Sequence, residues 1–239
     1  VYMPSTTPPI QNASDINFIK KKFEKNIIDV FPVGSITKNM EGKEITEMHD
    51  MKKAGAITFT DDLNSIENPM IMSIALEYTK DFKTPIIVIP FEQKLCENGL
   101  LNEGKTSTTL GLKGIPDLAE VIRINRDIEL ADYNKGSLHF STVSTKKSLE
   151  LIKKAKEKNI NISNDIAAYQ LILNDEMLSN FDTNLKVFPP IRSKKMQKEF
   201  IKNIKNSNID AISSNHTPIE LEKKKCSFAN AKFGILGLE

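Results

Sequence analysis

The chain has 239 residues, of which 39% are hydrophobic and 27% are charged, so it can bury a sizeable core and is not globally disordered. Its 33 basic and 31 acidic residues leave a net charge of only +2, which gives no basic surplus for a nucleic-acid partner. The lysine runs at residues 20–22 and 223–225 are therefore predicted to be solvated surface.

The few cysteines and histidines limit which metal sites this protein could contain and indicate its redox environment. Cys96 and Cys226 are far apart and form no CxxC pair, which fits a reducing cytoplasm and argues against cysteine-bound zinc. The sequence contains no signal peptide and no apolar run of about 18 residues, so we predict a cytoplasmic protein with no membrane partner. The three histidines, His49, His139 and His216, limit any histidine-built metal site.

Helices and short strands alternate along the chain. Apolar runs of strand length predict strands at residues 1–3, 27–33, 56–59, 86–90, 138–143, 161–163 and 209–213. The predicted helices are marked by Ser14 as a cap, by residues 44–53 closed by Gly55, by Asn68 with Pro69, by Pro116, by Leu149 with Ile152, and by Met196 with Phe200. Residues 98–114, rich in Gly, Ser and Thr, are predicted to form a long loop.

This alternation, repeated about seven times, is typical of a parallel α/β barrel or a doubly wound sheet. No GxGxxG follows a strand, so a dinucleotide-binding fold has no support. Seven strands, with one more expected before the chain begins, predict a parallel (β/α)8 TIM-type barrel that lacks its first strand here. We therefore predict a single, partial barrel domain over residues 1–239.

The stretch at residues 209–218 is a candidate site, because a short apolar strand runs into the polar sequence Ser213-Ser214-Asn215-His216-Thr217. In α/β barrels the chemistry lies where strands end and their following loops begin. A neutral amide at Asn215, however, can neither accept a proton as a general base nor serve as a good zinc ligand. The stretch therefore predicts an enzyme fold and argues against the enzyme's chemistry.

Eight short motifs occur in the order seen in dihydroorotases and cover nearly the whole chain. They are Met3-Pro4-Ser5-Thr6, Pro32-Val33-Gly34-Ser35-Ile36-Thr37, Phe59-Thr60-Asp61-Asp62, Leu101-Asn102-Glu103-Gly104, LGLKGIP at 110–116, Val143-Ser144-Thr145, Val187-Phe188-Pro189-Pro190-Ile191-Arg192 and Asn215-His216-Thr217-Pro218. The chain thus resembles the longer, bacterial-type branch of the dihydroorotase family within the amidohydrolase superfamily. The resemblance implies a metal-dependent barrel that interconverts carbamoyl-aspartate and dihydroorotate, with a small terminal β domain outside this chain.

Most positions at which the family binds metal carry other residues in this chain. The resemblance places Pro90 and Thr142 where the family has ligand histidines, and Asn215 where it has an aspartate that binds metal and acts as the base. Asp61 or Asp62 holds the retained position of a bridging carboxylate, although two adjacent carboxylates also commonly cap a turn. The family's first barrel strand, with its His-x-His pair and substrate-binding arginine, would precede this chain.

The substrate positions implied by the resemblance have changed as well. Ser5 and Phe188 stand where the family has asparagines, and Ile219 stands where it has a histidine. Zinc-hydroxide chemistry needs several protein ligands, so we expect no cofactor, and zinc only for the active alternative described below. The remaining candidates are predicted to be structural, at the surface or without an evident ligand role: His49, His139, His216, Glu103, Arg192 and Cys96.

Two functions are compatible with these residues. In the first, which the loss of ligands on a retained scaffold favours, the protein is a catalytically inactive dihydroorotase-like member of pyrimidine biosynthesis and a structural partner of aspartate carbamoyltransferase. In the second, it is an active cyclic amide hydrolase, with zinc held by histidines of the absent strand and by Asp61 or Asp62. Because a barrel without its first strand has two open edges, we expect these residues alone to be unstable or to form a homo-oligomer.

Overall fold

A computed structural model describes Val1 and residues 3–238, which divide into two compact units. Unit 1 comprises Val1–Ile89, Arg126–Phe140 and Ala155–Ile162. Unit 2 comprises Pro90–Asn125, Ser141–Lys154 and the residues from Ser163 onward. Within the described residues, no helix is both long and apolar enough to cross a membrane.

Helices and strands alternate through both units, as the sequence predicts. The helices are α1 (Ala13–Phe23), α2 (Met48–Ala54), α3 (Pro69–Lys80), α4 (Gln93–Cys96), α5 (Lys105–Leu110), α6 (Asp117–Asn134), α7 (Lys146–Glu157), α8 (Lys194–Lys205) and α9 (Leu221–Lys224). The strands are β1 (Ile86–Val88), β2 (Leu101–Asn102), β3 (Gly114–Ile115), β4 (Leu138–Phe140), β5 (Ile162–Ala167) and β6 (Ala211–Ser213). Short 3-10 turns lie at Lys38–Met40, Ala168–Leu171, Asp175–Asn180 and Thr183–Leu185.

Capping chemistry fixes several helix ends. Asn68 accepts a hydrogen bond from Met70 N at 2.9 Å, and Pro69 occupies the first position of α3, as predicted. Gly55 ends α2 with a φ of 112°, a conformation in which a side chain would be strained. The prediction that Ser14 caps α1 is wrong, because Asn12 accepts the hydrogen bond from the backbone of Asp15 and forms a capping box.

The strand pairing of unit 1 follows the order of the chain. Gly34 pairs with Phe59, Phe59 pairs with Ile86, and β1 pairs with β4, each in parallel. A doubly wound sheet would reverse its strand order at some point, whereas a barrel adds each strand beside the preceding one. A Cβ on Gly34 would lie 2.7 Å from Met51 Sδ, so a larger residue at position 34 would require the buried Met51 side chain of α2 to move.

Unit 2 contains two parallel strand pairs, β2 with β3 and β5 with β6. The first pair corrects the prediction of a long loop at residues 98–114, which instead hold β2, α5 and β3. In the second pair, Asp165 lies beside Ala211 and Ala167 lies beside Ser213. The second pair therefore places the end of β5 next to the start of the loop that carries Asn215.

Several predicted strands differ in extent from the observed ones, and three of them are wrong in existence, start or burial. Val1 and Met3 are not in a strand, and Tyr2 lies outside the described residues. Ile27 and Ile28 are exposed, and backbone pairing in this region begins only near Pro32. The strand predicted at 209–213 is shorter, and Ile212 is 52% exposed rather than buried. Apolar residues fix a local β preference, but burial requires a covering neighbour that the local sequence does not specify.

Candidate functional site

Asp61 and Asp62 follow the unit 1 strand residue Phe59 and have different surroundings. Asp61 is buried, and its Oδ1 accepts hydrogen bonds from the backbone N of Ile36 at 2.8 Å and of Thr37 at 2.9 Å. Its Oδ2 accepts a further bond from the Thr37 hydroxyl. Burial raises the pKa of Asp61 while these hydrogen bonds oppose the rise. Both oxygens thus cap the loop at 36–37, which is the structural role that the sequence allows.

Asp62 is the freer of the two carboxylates. It is half-buried, has a φ of 52° and accepts a hydrogen bond from the hydroxyl of Ser5. Burial raises its pKa as well. The structure therefore brings together Ser5, a position that the family resemblance assigns to substrate, and Asp62, one of the two residues that the resemblance allows at the bridging-carboxylate position.

Asn215 is held by its amide nitrogen. Nδ2 donates to the carbonyl of Phe188 at 3.1 Å and to the hydroxyl oxygen of Tyr169 at 3.2 Å. The hydroxyl hydrogen of Tyr169 is directed to the Pro189 carbonyl at 2.9 Å, so this oxygen can only accept from Asn215. The position therefore requires a donor, which an ionised carboxylate cannot supply.

Asp165 is a site residue that the sequence analysis missed. It is 5% exposed, and its Oδ1 accepts hydrogen bonds from Thr142 N and Ser213 Oγ, both at 2.8 Å. Its Oδ2 accepts from Ser141 Oγ at 2.9 Å. This carboxylate fixes the residues just beyond β4 and the end of β6. The available signal was weak: an acidic residue that follows Ser163 and Asn164 and precedes the apolar pair Ile166-Ala167 at the end of a strand.

The other changed positions of unit 2 are filled by packing groups. Pro90 is buried and brings no donor atom. The ring of Phe188 lies 4.6 Å from that of Phe91 and 6.0 Å from that of Phe233. Ile219 lies against Gly234, where an added Cβ would come within 2.4 Å of Ile219 Cγ1. Apolar side chains, Phe188 and Ile219, therefore stand where the resemblance implies polar substrate contacts.

The donor set does not fit a zinc ion. Zinc is held by histidine, cysteine and carboxylate groups, almost always four-coordinate. In the part of the chain that the structure describes, no group of three or more such side chains is placed to hold a metal. Pro90, Thr142 and Asn215 supply neither an imidazole nor a carboxylate at the implied positions.

A buried polar network lies in unit 2 around Glu120 and Arg192. The carboxylate of Glu120, fully buried, accepts from Ser144 N and Thr145 N at 2.9 Å each and from both hydroxyls. The guanidinium of Arg192 donates to Ser144 Oγ at 2.9 Å and to Asn102 Oδ1 at 2.7 Å. The predicted structural role of Arg192 as a charge partner is confirmed by its ion pair with Asp117 at 2.7 Å, which completes this hydrogen-bond network.

Next to this network, unit 2 contains a cavity of about 660 Å³ that is open to solvent on one side. Its floor contains the buried residues Asn102, Asp175, Arg192 and Met196. Glu103, predicted to be a loop anchor, is exposed on its rim. None of Pro90, Thr142 and Asn215 lines this cavity.

The prediction that the 223–225 run is solvated is wrong for Lys224, whereas Lys223 and Lys225 are exposed. Lys224 is 8% exposed, and its Nζ donates to the carbonyls of Thr183, Lys186 and Gly234. Lys186 is 2% exposed, and its Nζ donates to the Phe228 carbonyl at 2.8 Å. Lysine heads here replace solvent as donors to backbone carbonyls, and so attach the segment near 228–234 to the segment near 183–186.

The ionisation of these lysines predicts a pH dependence of stability. Burial lowers the pKa of Lys186 and of Lys224 below the ordinary 10.5. The unfolded chain therefore binds more protons between the lowered values and 10.5, and the free energy of unfolding rises with pH in that interval. Urea unfolding from neutral pH to about pH 10 should show the parent gaining stability relative to a Lys186→Met/Lys224→Met variant. Lys225→Met, at an exposed position, is the control, and the difference in free energy of unfolding between the parent and this control should stay constant with pH. If the stability of the parent relative to the double variant fell as the pH rose, the expectation would be contradicted.

The remaining predicted residues lie apart from these clusters. His49 is exposed on α2 and stacks on Phe82 at 5.9 Å, as expected of a surface residue. His139 is half-buried in β4, and His216 is exposed, its Nδ1 accepting from Gly237 N at 3.1 Å. Burial raises the pKa of the Cys96 thiol to about 11, which disfavours the nucleophilic thiolate, as expected.

Solved structures place this architecture in a class. The chain superposes on the L-hydantoinase (dihydropyrimidinase) from Arthrobacter aurescens with a TM-score of 0.83 at 21% identity, covering 99% of this chain and 55% of that one. A D-hydantoinase from Bacillus sp. AR9 gives 0.74 at 18% identity, covering 93% and 52%. The chain thus has the parallel α/β fold of these hydantoinases.

Sequence comparison identifies the family within that class. A family model described as Dihydro-orotase-like matches residues 2–148. The chain is 40% identical to a dihydroorotase of Endomicrobium trichonymphae and 39% identical to one of Caldanaerobacter subterraneus, each over 99% of this chain. The protein therefore belongs to the dihydroorotase-like family, as the ordered motifs predicted. It spans 56% and 55% of the lengths of these two relatives.

Proposed function

We propose that this protein is a catalytically inactive, dihydroorotase-like component of pyrimidine biosynthesis that works without a metal cofactor. The observation that carries the proposal is the set of bonds made by Asn215, whose Nδ2 donates to Phe188 O and Tyr169 Oη. A general base must accept a proton, and this position is built around a group that only donates. Family membership supports the pathway, since both dihydroorotase relatives align with almost the whole chain.

The proposal also rests on what the other positions do instead of catalysis. Thr142, in place of a ligand histidine, donates its backbone N–H to Asp165 at 2.8 Å and its hydroxyl to the Ser141 carbonyl at 2.8 Å. Phe188 packs between two aromatic rings. These residues maintain the loops that follow the strands, and a fold can persist after its site has changed.

The role proposed for the inactive protein is to bind aspartate carbamoyltransferase as a structural partner, within a homo-oligomer. Support comes from the family resemblance together with retained internal scaffolding, such as the Glu120 and Arg192 network. A pull-down with tagged protein and purified aspartate carbamoyltransferase tests the partnership, and size-exclusion chromatography with light scattering tests the oligomer. Recovery no greater than on bare resin would count against the partner.

Asn215→Asp is expected to restore no ring opening of dihydroorotate and to lower the melting temperature. The new carboxylate would face the acceptor oxygens of Phe188 and Tyr169 without hydrogens to offer. Turnover should be assayed with and without added zinc, and melting followed by circular dichroism. Asn206→Asp, at an exposed position at the end of α8, serves as the control and should change neither reading. Turnover gained by Asn215→Asp would show a damaged but recoverable active site.

The alternative function is an active cyclic amide hydrolase, and the pairing of Asp62 with Ser5 favours it. A half-buried carboxylate at the retained bridging position, next to a substrate position, could contribute to a zinc site completed by residues beyond this chain. Elemental analysis of the full-length protein after dialysis separates the two functions. Metal below stoichiometric amounts supports the inactive form, whereas bound zinc that Asp62→Asn removes supports the hydrolase.

A further inference from the structure

The cavity of unit 2 has the size and construction of a ligand site. Its volume of about 660 Å³ falls in the range of small-molecule pockets. The floor is rigid, because Arg192 is held by Asp117 and Asn102, each at 2.7 Å, and Asn102 is held in turn by Asp175 at 2.9 Å. A preorganised polar floor of this kind loses little entropy when a ligand binds.

The charges around the cavity indicate which class of ligand it would accept. Four cationic and five anionic side chains line it, so neither sign dominates and a polyanion such as a nucleoside triphosphate is disfavoured. Of these, Arg192 is paired with Asp117, and Lys146 lies 3.5 Å from Glu199. Within the described residues, Lys195 and Lys105 make no ion pair, nor do the exposed Glu103 and Glu176. Asp175 accepts a side-chain hydrogen bond at Oδ2 and receives none at Oδ1. Charges of both signs thus remain available around one cavity.

Two of these available charges, Asp175 and Lys195, lie in environments that favour a ligand. Asp175 is 5% exposed on the floor, where a carboxylate that is largely shielded from solvent favours an ammonium group. Lys195 lies in the first turn of the 12-residue α8, whose N-terminal end also favours a carboxylate. Leu110 and Met196 provide apolar wall between polar groups. We propose that this cavity binds a free α-amino acid with an apolar side chain, its ammonium at Asp175 and its carboxylate at Lys195.

Three probes of one shape test the proposal by isothermal titration calorimetry on the whole chain. L-leucine carries both charges, L-leucinamide lacks the carboxylate, and 4-methylpentanoate lacks the ammonium. We expect leucine to bind, and each analogue to bind at least about 10-fold more weakly, since each loses one charge-assisted hydrogen bond. Equal binding of the three, or no heat from leucine at millimolar concentration, would overturn the proposal.

Matched variants locate the binding. Lys195→Gln should lower the affinity for leucine at least about 5-fold and leave the affinity for leucinamide unchanged, because only leucine carries the carboxylate. Lys198→Gln, exposed on the same helix and outside the cavity lining, should change neither. Asp175→Asn should lower the affinity for leucine and leave the affinity for 4-methylpentanoate unchanged, because 4-methylpentanoate has no ammonium group. If Asp175→Asn does not fold, the comparison of Lys195→Gln with Lys198→Gln and the two leucine analogues still test the proposal. If Lys195→Gln left the affinity for leucine unchanged, this site would be refuted.

Discussion

Glu120→Ala is expected to lower the free energy of unfolding by about 3–5 kcal/mol. The side chain is fully buried, and its two oxygens satisfy the backbone N–H groups and hydroxyls of Ser144 and Thr145. Alanine would leave two buried amide hydrogens without acceptors and a void the size of a carboxyethyl group. Each loss adds to the cost, because orphaned buried donors and unfilled space both destabilise the folded state.

Equilibrium urea unfolding of the parent and the variant measures this effect. Glu129→Ala provides the control, because Glu129 lies on the same helix but is exposed, and it should shift stability by less than about 0.5 kcal/mol. A loss below about 1 kcal/mol for Glu120→Ala would mean that water reaches the 144–145 loop and replaces the carboxylate.

Arg192→Met is expected to cost about 2–4 kcal/mol. Methionine keeps much of the aliphatic length but removes the donors to Asn102, Ser144 and Asp117. The cost should stay below that of breaking a fully buried ion pair, because the Asp117 side chain is 65% exposed and water can hydrate its charge. The buried partners Asn102 and Ser144 have no such compensation.

The same unfolding assay applies, with Lys198→Met on α8 as a control that removes an exposed cation. The double variant Glu120→Ala/Arg192→Met adds a sharper test, because both residues bond to the hydroxyl of Ser144. We expect the two losses to be non-additive by about 0.5–3 kcal/mol. Strict additivity would show that Ser144 does not couple them.

Local chemistry explains which parts of the fold were predictable. Asn68 with Pro69 and Gly55 mark helix ends through their own backbone and side-chain groups, so α3 and the end of α2 were predicted correctly. The pair β2 and β3 was missed, because two-residue strands carry no periodic pattern. The exposure of Ile27 and Ile28 was missed because whether an apolar residue is buried depends on distant segments that pack over it, which the local sequence does not specify.

The candidate site divides in the same way. Asn215 and Thr142 were found because ordered motifs place them by position along the chain. Glu120 and Asp165 were missed, since their partners lie 24 and up to 48 residues away, and one acid on a helix or strand resembles ordinary solvated charge. Lys224 was misassigned for a related reason. A run of lysines is solvated only where none of its ammonium groups is bound by backbone carbonyls, and Lys224 Nζ is bound in this way.

The chain-order pairing in unit 1 has a consequence for how the protein is made. Gly34, Phe59, Ile86 and Leu138 join successive neighbours, so each strand meets a partner that has already left the ribosome. Closing each loop costs modest entropy, because that cost grows only with the logarithm of loop length. This part of the sheet can therefore grow during translation, one strand at a time, without waiting for residues synthesised later.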